Sequence, residues 1–364
     1  MIDPIFNMYK TKFTVLDDLR IIDRTKKKVR VFINLEMILK TLMSSRNNNQ
    51  LYAMGDPNDT KLSIISNLVN IGQHYRLYCT KYRMESEIYI YCNYPHGRYK
   101  NSDFIIGYRS YYVNKILKNE NCIFINDALK DAFKFLDVLC KYINGVYIIT
   151  DNCVESSVIP YIIKMNSRDN PIDVQDIIVS NTKYDMQYVN YGFSILSPSG
   201  DDSVLITHDN AINRLKDVCK ITTDVEIPST FLPFIVSMIG DRYKSIPKMA
   251  GVGLSTVLKT IKMGIDKKII TTSTTNIDML SNIIKDQHRD AFIDNYKCVD
   301  IPMQYNRLSE IEIHNIMSAI EDKFDENALR LINERYFQMH PLMIINPRSE
   351  QILNGEYTNK SIFA

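Results

Sequence analysis

The sequence contains no tryptophan, no Cys-x-x-Cys pair and no apolar run approaching the roughly 18 residues that cross a bilayer. Each absence removes a class of protein. Seven scattered cysteines, an odd number, give neither a disulfide framework nor a zinc site and are expected as reduced thiols. The six histidines show no metal-ligand spacing. Ser156 and Ser157 lack a Gly-x-Ser-x-Gly elbow, which argues against a serine hydrolase. No membrane span is expected, and residues 1–12 are too polar for a signal peptide. A formal net charge of +2 gives no whole-chain attraction to nucleic acid, so any such binding has to come from local patches. No internal repeat or low-complexity tract is visible. The nearest is a polar connector at 271–275.

What remains is an ordinary globular composition, 45% hydrophobic and 24% charged over 364 residues, enough for one large or two modest domains. The first half alternates. Short β-branched runs at 29–34, 87–92, 146–150 and 176–180 read as strands. Helices are expected at 35–43, at 127–143 and at 158–165, the last with Pro160 in its first turn. In the second of these, Leu129, Ala132, Phe133, Leu136, Cys140 and Ile143 recur at helical spacing, and Asn144-Gly145 ends it. Residues 45–59, rich in Asn, Asp and Gly, read as a loop. Residues 192–196 and 203–207 flank Ser197-Pro198-Ser199-Gly200, a hairpin signal. From 228 onward the pattern is mainly helical. Alternation followed by helices predicts an α/β fold, a mostly parallel central sheet flanked by helices, with an α/β domain at 1–225 and a helical region at 226–364.

Three kinds of basic segment stand out. Arg24-Thr25-Lys26-Lys27-Lys28-Val29-Arg30 is the densest charge run, and it fits either a phosphate grip or a solvated loop before the first strand. Lys81-Tyr82-Arg83, His96-Gly97-Arg98-Tyr99-Lys100 and Arg109-Ser110-Tyr111-Tyr112 interleave bases with aromatics, a pattern able to stack on single-strand bases while neutralising phosphates. The third is Gly240-Asp241-Arg242-Tyr243-Lys244-Ser245-Ile246-Pro247-Lys248-Met249-Ala250-Gly251-Val252-Gly253-Leu254-Ser255-Thr256. Its two closely spaced glycines let the backbone approach a phosphate, and the helix start that follows presents N–H groups to an anion. Val257, Leu258 and Ile261 supply a packing face, while Lys259 and Lys262 add charge.

This last segment resembles the helix–hairpin–helix entry of the viral and phage 5′-nucleases, the flap endonucleases and 5′–3′ exonucleases with a PIN-like fold. Those proteins read Gly-Asp, a few polar residues, Ile-Pro, then Gly-hydrophobic-Gly opening a helix. Other segments fall in the family's order. Val31-Phe32-Ile33-Asn34 resembles its first strand, and residues 89–100 its second strand and the basic turn after it. Arg109-Ser110-Tyr111-Tyr112 resembles the entry to its helical arch, and residues 154–159 its Glu-Ala-Asp-Asp segment. Residues 179–187 resemble its Ser-Gly-Asp-x-Asp segment, and a hairpin follows. Residues 296–302 and the helices after them are similar to the phage members, including the nuclease called ribonuclease H. The resemblance covers roughly residues 29–345. Absent Trp and abundant Tyr, Ile, Asn and Lys fit AT-rich coding, common among phages and large viruses.

The resemblance implies DNA as partner, held by Arg98, Lys100, Arg109, Lys248, Gly251, Gly253, Ser255, Thr256, Lys259 and Lys262. It implies a duplex phosphate backbone, branched or flap structures included, together with viral replication or transcription proteins and the cytoplasm of an infected host cell. It also implies two divalent metals on a ring of carboxylates, which lower the pKa of an attacking water and neutralise the phosphate. Here the sequence departs from the pattern. Asn34 stands at the first-strand Asp position, and Asn93 or Cys92 at the second-strand one. Val154 and Ser157 replace the Glu and last Asp of Glu-Ala-Asp-Asp. Thr182 and Tyr184 fall on the two aspartates of Ser-Gly-Asp-x-Asp, and Lys244 replaces the second acid after Gly-Asp. Asp241 matches.

Glu36, Asp151, Glu155 and Asp185 lie close by and are expected as solvated surface acids. A slip of one residue makes Glu155 or Asp185, with Asp241, a candidate metal ligand. Neutral side chains cannot supply the charge that holds two bare dications, so no catalytic residue and no cofactor is expected, with Mg²⁺ or Mn²⁺ required if activity survives. Three readings follow: a nuclease-dead DNA-binding relative, an active 5′-nuclease with displaced ligands, and a scaffold that uses the fold for protein contacts.

Overall fold

A computed structural model describes residues 22–34, 84–93, 145–150, 156–180, 182–199, 202–241 and 246–320. The expected helices at 35–43 and 127–143, the loop at 45–59, the segment Lys81-Tyr82-Arg83, and Glu36, Arg98, Lys100, Arg109, Asp151, Val154, Glu155 and Lys244 lie outside the described residues. So do the side chains of Cys92 and Asn93.

The sheet grows outward from β1 (Lys28–Asn34), whose alternate residues Val29, Val31 and Ile33 are fully buried on one face. β2 (Glu85–Asn93) pairs with it in parallel on one side and β4 (Val174–Val179) on the other. β3 (Gly145–Thr150) extends the sheet beyond β2. β5 (Phe193–Ser199) runs parallel to β4, and β6 (Asp202–Ile206) returns antiparallel to β5 as the expected hairpin. The order is β3-β2-β1-β4-β5-β6. Strands at all four expected positions therefore share one mostly parallel sheet. The chain builds to one side of β1 and then returns to the other, so the switch in direction lies between β1 and β4. Open α/β sheets place their sites at the carboxyl ends beside such a switch. Ile33 pairs with Val179, so Asn34 and Ser180 leave the two strands side by side.

The other face of β1 carries Lys28, Arg30, Phe32 and Asn34. A guanidinium in the centre of a sheet needs compensation. Arg30 Nε and Nη2 reach Asp176 Oδ1 and Oδ2 on β4 at 2.6 and 3.0 Å. Lys164, on α1 (Ile159–Asn166), adds a third bond to Asp176 at 2.8 Å and lies 4.5 Å over the Phe193 ring. Pro160 occupies the first turn of α1, as its fixed φ allows.

This pairing accounts for the carboxyl-terminal half of the charge run. Lys26 Nζ donates to Ile172 O at 2.8 Å, and Lys27 meets Asp173 at 3.1 Å. Lys28, only 14% exposed in its side chain, meets Glu87 at 2.5 Å and Asp169 at 2.9 Å. The run divides: Arg24 and Lys27 stand exposed in the loop before β1, while Lys28 and Arg30 are drawn into the sheet.

After α2 (Ala211–Val218) the chain becomes helical, as expected: α3 (Leu232–Ile239), α4 (Leu254–Asp266), α5 (Ile277–Ser281), α6 (Asp286–Val299), α7 (Ile301–Tyr305) and α8 (Glu310–Ile320). Every residue of α3 is buried, so it forms the axis of this layer. Phe234 packs on Phe292 of α6 with ring centroids 5.0 Å apart. One apolar cluster runs from Phe32 and Tyr89 under the sheet to Val257, Phe292 and Ile316 in the helices. No described helix is long and apolar enough to cross a membrane.

Candidate nucleic-acid interface

The turn that leaves β4 brings polar groups together without solvent. Ser180, Thr182 and Asp185 are all buried, Asp185 completely. Asp185 Oδ2 accepts from Ser180 Oγ at 2.5 Å and from Thr182 Oγ1 at 2.7 Å. The same hydroxyls accept from the backbone: Thr182 N–H donates to Ser180 Oγ, and Asp185 N–H to Thr182 Oγ1, both at 3.1 Å. This closes a local loop in which short side chains substitute for backbone partners. It leads into a 3-10 turn, Asp185–Tyr191, ended by Gly192 at φ +74°. Asp185 is thus not the solvated surface acid expected from the sequence. It is the buried hub of the turn. Ser180 was not singled out by sequence reasoning, although Ser180-x-Thr182-x-x-Asp185 is a spacing by which two hydroxyls can reach one carboxylate.

Tyr184, at a family aspartate position, is a core residue whose hydroxyl accepts from Gln304 Nε2 at 2.7 Å. Ser157 is buried beside the same turn, and its carbonyl accepts from the Tyr188 hydroxyl. Asn34 is buried at the end of β1.

From this turn two bonds cross to the helical layer. Tyr184 N–H donates to Asp241 Oδ2 at 3.2 Å, and Lys183 Nζ to Gly240 O at 3.0 Å. Asp241 is fully buried. It also forms a two-way backbone bridge with Ile246, at 3.0 and 2.9 Å. The loop thereby folds back on itself directly after α3. Gly240 permits this at φ +71°, where an added Cβ would lie 2.6 Å from both Ile246 O and Lys248 N. Gly251, also at φ +71°, turns the chain into α4, with open space where a Cβ would stand.

α4 begins at Leu254, with Gly253 as N-cap and no side-chain cap bond. Its first-turn N–H groups are the donors that a phosphate takes up. Val257, Leu258 and Ile261 pack inward as expected. Thr256, Lys259 and Lys262 are exposed, Ser255 and Gly253 partly so, and Lys248 and Gly251 stand exposed in the loop before them. Ser255, Lys259 and Lys262 recur at helical spacing and so share one stripe. Lys262 is not wholly available to a ligand, because it meets Asp266 at 2.9 Å one turn on.

The donors among the described residues do not fit a pair of bare dications. Among the described residues no three acids, histidines or cysteines converge. Asp185 Oδ2 is held by two hydroxyls and Asp241 Oδ2 by a backbone N–H, while Asn34 and Thr182 bring no charge where magnesium needs it.

No protein-family model matches the chain, and no curated protein matches it in sequence. Solved structures do match. Zinc-bound T5 5′-exonuclease, from a phage, superposes over 80% of this chain and 98% of its own, with a TM-score of 0.53 at 12% identity. A T5 protein co-crystallised with metal ions covers 86% and 99% at a TM-score of 0.47 and 12% identity. The catalytic core of Rad2 in complex with DNA covers 91% and 93% at 0.40 and 11%. The first of these carries the assignment, and the chain has the 5′-nuclease α/β fold.

Proposed function

We propose that this chain is a DNA-binding protein on a 5′-nuclease fold that no longer hydrolyses phosphodiesters. The observation that supports this reading is that Asp185 and Asp241 are both buried and engaged by protein donors. DNA is held by the helix–hairpin–helix formed by α3, the loop 240–253 and α4, with Lys248, Ser255, Thr256, Lys259 and Lys262 at the phosphate backbone. Arg98, Lys100 and Arg109, outside the described residues, are further candidate phosphate contacts. Residues 1–225 and 226–364 act as a sheet domain and a DNA-holding region. The setting is viral DNA replication or repair in an infected cell.

An active nuclease with displaced ligands is the rival. The observation on its side is that Asp185 lies buried in the turn at the sheet's carboxyl edge. The deciding experiment incubates purified protein with 5′-flap, nicked and single-stranded DNA in Mg²⁺ and in Mn²⁺, beside a salt-dependent binding titration. Binding without cleavage is expected. Cleavage that Asp241→Ala abolishes would install the rival, and absence of binding at low salt would leave a protein scaffold.

A further inference from the structure

Asn295 is a buried residue of α6, and sequence reasoning gave it no role. Its Nδ2 donates to Ser237 O at 2.8 Å and to Pro247 O at 2.9 Å. Both partners are carbonyl oxygens, so the chemistry settles which end of the amide faces them: the oxygen would find only acceptors. Both amide protons are used.

The two carbonyls belong to different parts of the DNA-holding element. Ser237 lies in the last turn of α3, where carbonyls have no partner within the helix. Their partners come from outside it. Gly240 N–H reaches Val236 O at 2.9 Å, and Met249 N–H reaches Met238 O at 3.2 Å. Asn295 supplies the partner for Ser237 O. Pro247 lies just after the Asp241–Ile246 bridge and just before the exposed Lys248. One NH₂ group therefore ties the end of a buried helix to the exit of the loop. The amide comes from α6, whose Phe292 packs on α3.

We propose that Asn295 is a positioning residue for phosphate binding. It sets where Lys248, Gly251 and the first turn of α4 stand relative to α3. Donors held in place before the ligand arrives do not have to be ordered at its expense. Asn295 itself touches no phosphate. It acts through the loop it holds, together with Lys183 and Asp241, which fasten the loop's other end to the sheet edge. The inference rests on the DNA-binding reading above and goes further by naming what shapes the binding element.

The test uses the full chain and a fluorescein-labelled DNA duplex of random sequence, titrated across a salt series. Asn295→Leu keeps the branched shape at Cγ and removes both donors, and Asn295→Asp turns the donor into an acceptor. Each should weaken binding by about tenfold while leaving the slope of log K against log salt unchanged, since no charge that meets a phosphate is lost. Asn295→Ser, with one donor, should fall between them and wild type, and it keeps the question decidable if the aspartate variant does not fold. Ile163→Val, a buried change in α1 outside the loop and α4, controls for general loosening and should lower the melting temperature without weakening binding. If the Leu and Ser variants melt earlier but bind as tightly as wild type, Asn295 is structural only and the inference is overturned, with the DNA reading intact. If wild type itself fails to bind the duplex, the underlying reading falls first.

Discussion

Asp241 Oδ2 accepts the backbone N–H of Tyr184 at 3.2 Å, joining the loop before α4 to the turn after β4. The acid that best matches the nuclease pattern is thus bonded to the main chain. Asp241→Ala should leave that buried N–H without its acceptor and cost about 1–3 kcal/mol of stability. Asp241→Asn retains an acceptor oxygen and should cost clearly less. Urea unfolding in EDTA and in Mg²⁺ should give the same ranking. A large Mg²⁺-dependent gain seen only in wild type would show that the carboxylate holds metal.

The glycines of the loop separate fold from binding. Gly240→Ala places a Cβ 2.6 Å from two backbone atoms at a positive φ, and it should prevent the loop from closing. Gly251→Ala meets only the backbone preference, and should cost about 1 kcal/mol. Gly253→Val meets no described atom within 4 Å of its Cβ and should cost only what a poor N-cap costs, about 1 kcal/mol, yet weaken duplex binding. Equal duplex affinity in Gly253→Val would remove this loop from the binding surface.

The sheet was legible in the sequence because its signals are local. Val29, Val31 and Ile33 form a short β-branched run, and Pro160 sits where a helix start needs it. The fate of charge was not legible. Arg30 and Asp176 are far apart in sequence and meet only because β1 and β4 are neighbours, which a topology crossover decides. Asp185 looked like one more surface acid because its burial depends on Ser180 and Thr182 curling back towards it. Asn295 carried no signal, since its partners are backbone carbonyls of two distant segments.

Salt dependence should report the Lys262–Asp266 pair. Lys259→Ala should lower the salt slope for duplex binding by about one unit. Lys262→Ala should lower it by less, because Asp266 already takes part of its charge. Asp266→Ala should tighten binding by releasing Lys262. Fluorescence anisotropy at four or five salt concentrations decides between these outcomes, and looser binding by Asp266→Ala would place Lys262 away from DNA.

The Arg30–Asp176 pair should behave as a buried ion pair. Arg30→Met alone leaves Asp176 with only Lys164 and should cost about 3–5 kcal/mol. Adding Asp176→Leu removes the stranded carboxylate and should recover most of the loss, since Lys164 keeps Gly192 O as an acceptor at 3.1 Å and some solvent. A double variant no more stable than the single would mean that the pair sets the register of β1 against β4.

Asp300 gives the pH prediction. It caps α7 by accepting Met303 N–H at 2.8 Å, and burial raises its carboxyl above the ordinary value of 3.8 despite that bond and one from Tyr296. The folded state therefore keeps the proton to higher pH than the unfolded chain. Between the two pKa values the unfolded state binds fewer protons, so stability falls as pH rises from about 4 through the raised value, and it is flat beyond. This is opposite in sign to a salt-bridged carboxylate. Asn is an equally good helix cap and carries no charge to bury. Asp300→Asn should flatten this part of the profile and be neutral to stabilising at pH 7. Urea midpoints at intervals between pH 4 and 8, for wild type and variant, measure the difference directly. A variant that loses stability at pH 7, or a difference that grows in the opposite direction with pH, would mean that the charged form of Asp300 is the one the fold prefers.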